Sequence, residues 1–174
     1  MPLLKNGKLL EDGRVFLEDG APNPTGGEFI VSAQRFAAEK DLLLAHNAPI
    51  AVRLGPADDP MSLAEHLDRI SLIEVAFPKY TDGRGYSIAA LLRRRLGYKG
   101  ELRAIGQVQR DQLNLMVRTG FDAMDLDPSA LGGADPEAVF KDAVGWFSEV
   151  YQASADARET VFAKRHTAKS QKVG

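Results

Sequence analysis

Four short apolar runs, at 50–54, 72–77, 102–106 and 121–126, are each followed or preceded by a stretch with helical spacing, and this alternation constrains the fold most. Strands that recur at intervals of roughly 20–30 residues with helices between them pair in parallel through right-handed crossovers. Strands of that kind are covered on both faces, which accounts for their apolar character. The expected fold is therefore α/β, with four consecutive parallel βα units. Two arrangements satisfy the pattern: an open doubly wound sheet, or neighbouring units curled as half of a (β/α)₈ barrel that a second subunit, as in a homodimer, could complete. The units follow one another without a long crossover, which favours the half-barrel. No internal repeat of the solenoid kind is present.

The helices between the runs carry their own start and stop signals. Ser32 suits the cap of a helix reaching to about residue 47, with Phe36, Leu43 and Leu44 on one face and Pro49 beyond its end. Ser62 and Glu65 match a capping box, followed by Leu63, Leu67 and Ile70 at helical spacing. A helix beginning near Ser87 turns Ile88, Leu91, Leu92 and Leu96 inward and closes at Gly97, and another runs from Asp111 to Thr119 before Gly120. Asp135, Pro136 and Glu137 open the last helix, whose buried stripe is Val139, Ala143, Phe147 and Val150. Ahead of these units, residues 8–17 read as a β-hairpin turning at Asp12-Gly13. The Pro- and Gly-rich segment 20–27 marks a boundary. The organisation expected is an N-terminal hairpin and loop at 1–28, an α/β domain at 29–162 and a basic, disordered tail at 163–174.

Composition removes several kinds of chemistry. The chain has no cysteine, so disulfides, thiolate nucleophiles and cysteine-held iron–sulfur clusters are excluded. His46, His66 and His166 lack metal-ligand spacing, and no metal site is expected. His46 reads as structural, His66 as a mid-helix position at the surface or edge, and Arg93-Arg94-Arg95 as a solvated helix face. Trp146 and Phe147 are adjacent, so both cannot face one core, and one of them is expected either to reach a partner or to pack beneath the hairpin. A net charge of −2 gives no bulk attraction to nucleic acid or acidic membranes, and neither is expected as a partner. With no signal-like start and no apolar run long enough to span a bilayer, the expected location is cytoplasmic.

In parallel α/β proteins the loops after the strand ends face the ligand. Here they contribute Arg53; Lys79, Tyr80, Asp82, Gly83, Arg84, Gly85 and Tyr86; Gln107, Arg110 and Asp111; and Asp125 and Asp127. The Asp82-Gly83-Arg84-Gly85 turn has two readings. Its glycines and helix start can admit an anion or a partner's carboxylate beside Lys79 and Arg84. Equally, Asp82 can cap the helix and pair with Arg84. Four acids against four bases on this edge favour a mixed polar surface or an internally paired network over a bare anion pocket. The argument for one site requires Lys79, Arg84 and Arg110 within reach of one bound group.

The run 77–87 (FPKYTDGRGYS), then 100–106 (GELRAIG), Arg110-Asp111-Gln112-Leu113 and Gly120-Phe121-Asp122 resemble a bacterial family of uncharacterised proteins, domain of unknown function 934. The resemblance covers roughly residues 30–127, and Gln107 stands where many relatives carry aspartate. It implies encoding beside sulfite or nitrite reductase, and some members are labelled as oxidoreductases of sulfite reduction. The function it implies is an accessory protein of assimilatory sulfite reduction that docks on the sulfite reductase haemoprotein. The alternatives are an enzyme or binding protein for a small anionic metabolite at the strand C-terminal edge, and a structural assembly module. No residue can be assigned to catalysis. The sequence has neither the GxGxxG dinucleotide fingerprint nor a Walker loop, so no cofactor is identified by motif.

Overall fold

In the computed structural model, which describes residues 2–23, 27–45, 49–126, 128–147, 160–161 and 163–164, eight strands share one sheet. They are β1 (Leu3–Lys5), β2 (Lys8–Leu10), β3 (Val15–Phe16), β4 (Phe29–Ser32), β5 (Ile50–Leu54), β6 (Ile70–Phe77), β7 (Glu101–Gly106) and β8 (Ala123–Asp125). The helices are α1 (Ala33–Ala38), α2 (Lys40–Ala45), α3 (Arg84–Ala90, continued by a π turn over Leu91–Arg95), α4 (Leu113–Thr119) and α5 (Pro136–Gly145). The expected tail lies almost wholly outside the described residues, as do His46, Asp127 and Val150.

The strand order is β2-β1-β8-β7-β6-β5-β4-β3, and β3 to β8 are parallel neighbours in chain order. Consecutive parallel strands with no change of direction make a curled, half-barrel sheet rather than a doubly wound one. The connection between β2 and β3 requires the curl. These strands are the two edges of the sheet, yet only Glu11–Arg14 joins them. Flat, the edges would stand about 34 Å apart at about 4.8 Å per strand. A link of that length reaches roughly 18 Å. The link therefore crosses the mouth of the curl as a strap, and the chain's own N-terminal segment bridges the open side.

The N-terminal hairpin differs from expectation. It pairs β1 with β2 around Asn6-Gly7, both at positive φ (51° and 78°), the geometry of the tight hairpin turn. Asp12 instead turns its carboxylate to the backbone N–H and Nε of Arg14. β1 pairs antiparallel with β8, and β3 parallel with β4, so this segment is built into the sheet.

Other boundaries move for local reasons. Ser32 caps α1 by accepting from the N–H of Arg35, but the helix breaks at Glu39 and resumes as α2. The Ser62–Glu65 capping box does not form. A 3₁₀ turn at Pro60–His66 is capped by Asp59, and Ile70 opens β6 rather than closing a helix. Arg93 is no solvated residue: it donates to the carbonyls of Tyr98, Gly100 and Gly120 and to Asp122, tying the π turn to the entries of β7 and β8. Asp135 and Pro136 start α5 as expected, with Val139 and Ala143 buried, whereas Phe147 is 60% exposed.

The helices pack on one face of the sheet. Val31, Val52, Leu54, Ile73, Val75, Leu102, Ala104 and Met124 meet Phe36, Ile88, Leu92, Leu113 and Met116 there in one core. The other face is not uniformly apolar, contrary to the expectation of strands apolar on both sides. Its lower row is Ile30, Ala51 and Leu72, packed with Phe16. The row above runs Ser32, Arg53, Glu74, Arg103, each the register partner of the next. The inner face of the curl therefore carries ionisable side chains on an apolar floor.

Candidate functional site

At the rim, the loop after β6 and the loop after β7 are hydrogen-bonded to each other. The N–H of Tyr80 donates to Oε1 of Gln107 (3.2 Å), and Nε2 of Gln112 donates to the carbonyl of Tyr80 (2.7 Å). Gln109 and Gln112 close a capping box ahead of α4. Tyr80 is 59% exposed, and Lys79 and Asp111 are exposed as well.

The turn at Asp82 takes the paired form. Gly83 occupies the cap position of α3, while Asp82 accepts from the backbone N–H of Arg84 (3.2 Å), from its Nε (3.0 Å) and from an outer nitrogen (2.7 Å). Arg84 holds the Asp82 carboxyl down to about 2. Gly85 serves packing rather than ligand approach, since a Cβ there would fall 2.5 Å from the Phe77 ring. Tyr86 lies against the same ring (centroids 5.2 Å apart), and burial, with Asp111 nearby, pushes its hydroxyl up to about 12.

Arg110 turns to α5. It donates to Asp142 (2.5 Å) and lies over the Trp146 ring at 5.4 Å. The indole N–H of Trp146 donates to the same carboxylate (2.9 Å). Arg84 and Arg110 are thus each held by a different carboxylate, whereas Tyr80, Gln107 and Gln112 are brought together and link the two loops.

Arg53 belongs elsewhere. It lies inside β5 rather than after it, and its Nε donates to Glu74 (2.8 Å) across the register pair on the inner face. Its guanidinium stacks on Phe16 at 3.9 Å. Beside it, buried Arg103 contacts three carboxylates: Glu101 (2.6 Å), Asp12 from the strap (2.5 Å) and Glu74 (3.4 Å). Glu101 also accepts from Lys5 (2.8 Å). Together the strap and the inner face line a half-open chamber of about 440 Å³.

The charges in this network are tuned by their neighbours. Burial works against the ionised forms of Asp12 and Glu101, but hydrogen bonds from Arg14 and Arg103 to the first, and from Lys5 and Arg103 to the second, outweigh it, and both titrate below their ordinary range. Asp125 is shifted the other way: burial pushes its carboxyl up, and Glu74 adds to the effect. Its Oδ1 is buried and, among the described residues, has no hydrogen-bond partner.

Glu74, Arg103, Glu101 and Asp12 were missed by reading strand ends alone. For Glu74 and Arg103 the available signal was an ionisable residue inside an otherwise apolar run, at the alternate positions that face away from the helices. Among the described residues, no three His, Asp or Glu side chains are grouped to hold a metal ion, and no helix is long and apolar enough to cross a membrane.

Residues 51–162 match the family model described as "Bacterial protein of unknown function (DUF934)", and the chain belongs to that family. No curated protein matches it. The matched span takes in β5 to β8, and with them Arg53, Glu74, Arg103 and Asp125.

Proposed function

We propose that this DUF934 chain is a cytoplasmic accessory protein of assimilatory sulfite reduction that docks on the sulfite reductase haemoprotein through its rim. The observation that carries the docking reading is the exposed Tyr80 joined through Gln112 to the turn that holds Arg110, itself stacked on Trp146 (46% exposed) beside Phe147. Tyrosine, tryptophan and arginine are the residues in which binding hot spots are enriched, because they bury much area for few lost rotamers. Asp142 fixes both Arg110 and the indole, so part of the ordering cost is met before a partner arrives. The partner's identity comes from the resemblance of the 77–87, 100–106 and 110–113 motifs, the first and last of which lie at these same loops.

The test is binding of the purified chain to immobilised haemoprotein. Trp146→Ala is expected to weaken it by about thirtyfold, the effect of one hot spot, with the unfolding midpoint nearly unchanged. A wild-type chain that fails to bind, or a Trp146→Ala variant that binds equally well, would overturn the reading.

A further inference from the structure

The chamber under the strap has two unused hydrogen-bonding groups, on strands that lie apart. Arg103 is saturated by Glu101, Asp12 and Glu74. Arg53 is not. Its Nε is committed to Glu74 and its plane is fixed on Phe16, yet among the described residues its two terminal nitrogens make no hydrogen bond. A guanidinium pinned at one edge and on one face, with a pair of N–H groups left over, suits a planar carboxylate. Asp125 lines the same chamber from β8, and among the described residues no donor reaches its Oδ1. Buried acceptors are rarely left in that condition without a compensating group. Burial of that carboxyl disfavours its ionised form even with Arg103 nearby, so an incoming ammonium would supply a donor and further positive charge together.

Three strand spacings separate β5 from β8. That is about 14 Å along the sheet at about 4.8 Å per strand, and less across the curl. Side chains reaching inward from both strands leave room for a molecule of metabolite size, and about 440 Å³ is within the range of small-molecule sites.

We propose that this chamber binds a small amino-carboxylate, its carboxylate on the terminal nitrogens of Arg53 and its ammonium on Asp125. The apolar side chains that line the chamber, Leu3, Leu10, Phe16, Ile30 and Ile105, would meet the methylene chain. The site is on the inner face, does not involve the rim and does not depend on the docking reading.

The test is calorimetric titration of the full chain with glycine, β-alanine, 4-aminobutyrate and 6-aminohexanoate, with acetate and ethylamine as single-ended controls. One chain length is expected to bind saturably at millimolar concentration or below, about tenfold more tightly than either control. Arg53→Lys keeps a cation for Glu74 but loses the fork, and Asp125→Asn keeps the shape but loses the charge. Each is expected to weaken the best ligand by about tenfold or more. Absence of binding across the series, acetate binding as tightly as the best member, or binding indifferent to both substitutions would each overturn the assignment. Melting curves of the two variants establish that they are folded before titration.

Discussion

The inner face and the rim both hold arginine–carboxylate pairs at similar distances, yet the pairs differ in what they can do. Arg103 and Glu74 are buried, and Arg103 is met by Glu101, by Glu74 and by Asp12 of the strap. Arg84 and Arg110 reach Asp82 and Asp142 at 2.7 and 2.5 Å with side chains 61% and 46% exposed. Water screens the second kind and lets it exchange partners; the first is locked, because removing one member leaves charges with nowhere to go. Distance alone therefore does not separate architecture from recognition. Burial does.

The largest effect should come from Arg103→Ala. It strands Glu101, Asp12 and Glu74 around one vacated position and releases the strap from β7. A loss of about 3–5 kcal/mol is expected, the usual result of breaking a buried ion network from one side, read by urea denaturation. A loss below about 1 kcal/mol, the range of exposed pairs, would erase the distinction between inner face and rim.

Next comes Gly85→Ala, which tests where the rim meets the core. The new methyl group would press on the Phe77 ring, which also touches Tyr86 and Phe121. Overpacking of this kind costs about 1–3 kcal/mol. Calorimetry should show a lower midpoint, and Tyr80 should shift with the loop. A neutral outcome would mean that the turn has room to move, as a ligand-adapting loop would.

A smaller effect separates charges within the inner face. Asp12 and Glu101 are depressed, so the stability they supply is complete above the ordinary carboxylate range and is lost as pH falls through it toward their folded values. Asp125 is raised, so its contribution has the opposite sign: it is complete below the unfolded value, near 3.9, and is lost as pH rises through the folded one. Asp125→Asn should therefore raise the melting temperature at neutral pH, with the advantage shrinking on acidification. An advantage independent of pH would mean that the carboxyl does not titrate differently in the two states.

The strands β5 to β8 were legible because uninterrupted apolar runs bounded by Pro, Gly or polar turns leave few alternatives. Pro78 after Phe77 and Gly120 before Phe121 mark such limits directly. The curl was legible only as a preference, since what requires it is the short strap between two edge strands, and those edges are two and three residues long. Asp12-Gly13 and Asn6-Gly7 are both good turn pairs, and local chemistry could not choose between them. The choice rests on β1 finding β8 more than a hundred residues away. The capping box at Ser62 lost to Asp59 for a similar reason, with Pro60 fixing the start of a tighter turn. Of the candidate residues, those in the 79–86 and 107–111 loops were found because loops advertise polarity. The inner row was hidden because one charge in an apolar strand looks incidental until register sets Arg53 beside Glu74 and Glu74 beside Arg103.

Arg84→Ala is the substitution for which the smallest structural effect and the clearest local one should coincide. Arg84 keeps Asp82 at about 2, and the Arg84 side chain is 61% exposed, so water screens the pair and the acid limb of the stability profile should barely move when it is removed. The depressed carboxyl contributes above its ordinary range and loses that contribution as pH falls toward 2, a region where the inner network has already begun to fail. Titration by carbon-detected NMR should find Asp82 raised from about 2 toward the ordinary carboxylate range, stopping short of it because the backbone N–H of residue 84 still donates. If the rim docks a partner, the same substitution should slow association and flatten its salt dependence while leaving dissociation nearly unchanged, the behaviour of a peripheral charge. A melting temperature that drops as far as that of Arg103→Ala would show the Asp82–Arg84 pair to be architecture after all, and exposure would no longer sort the two regions.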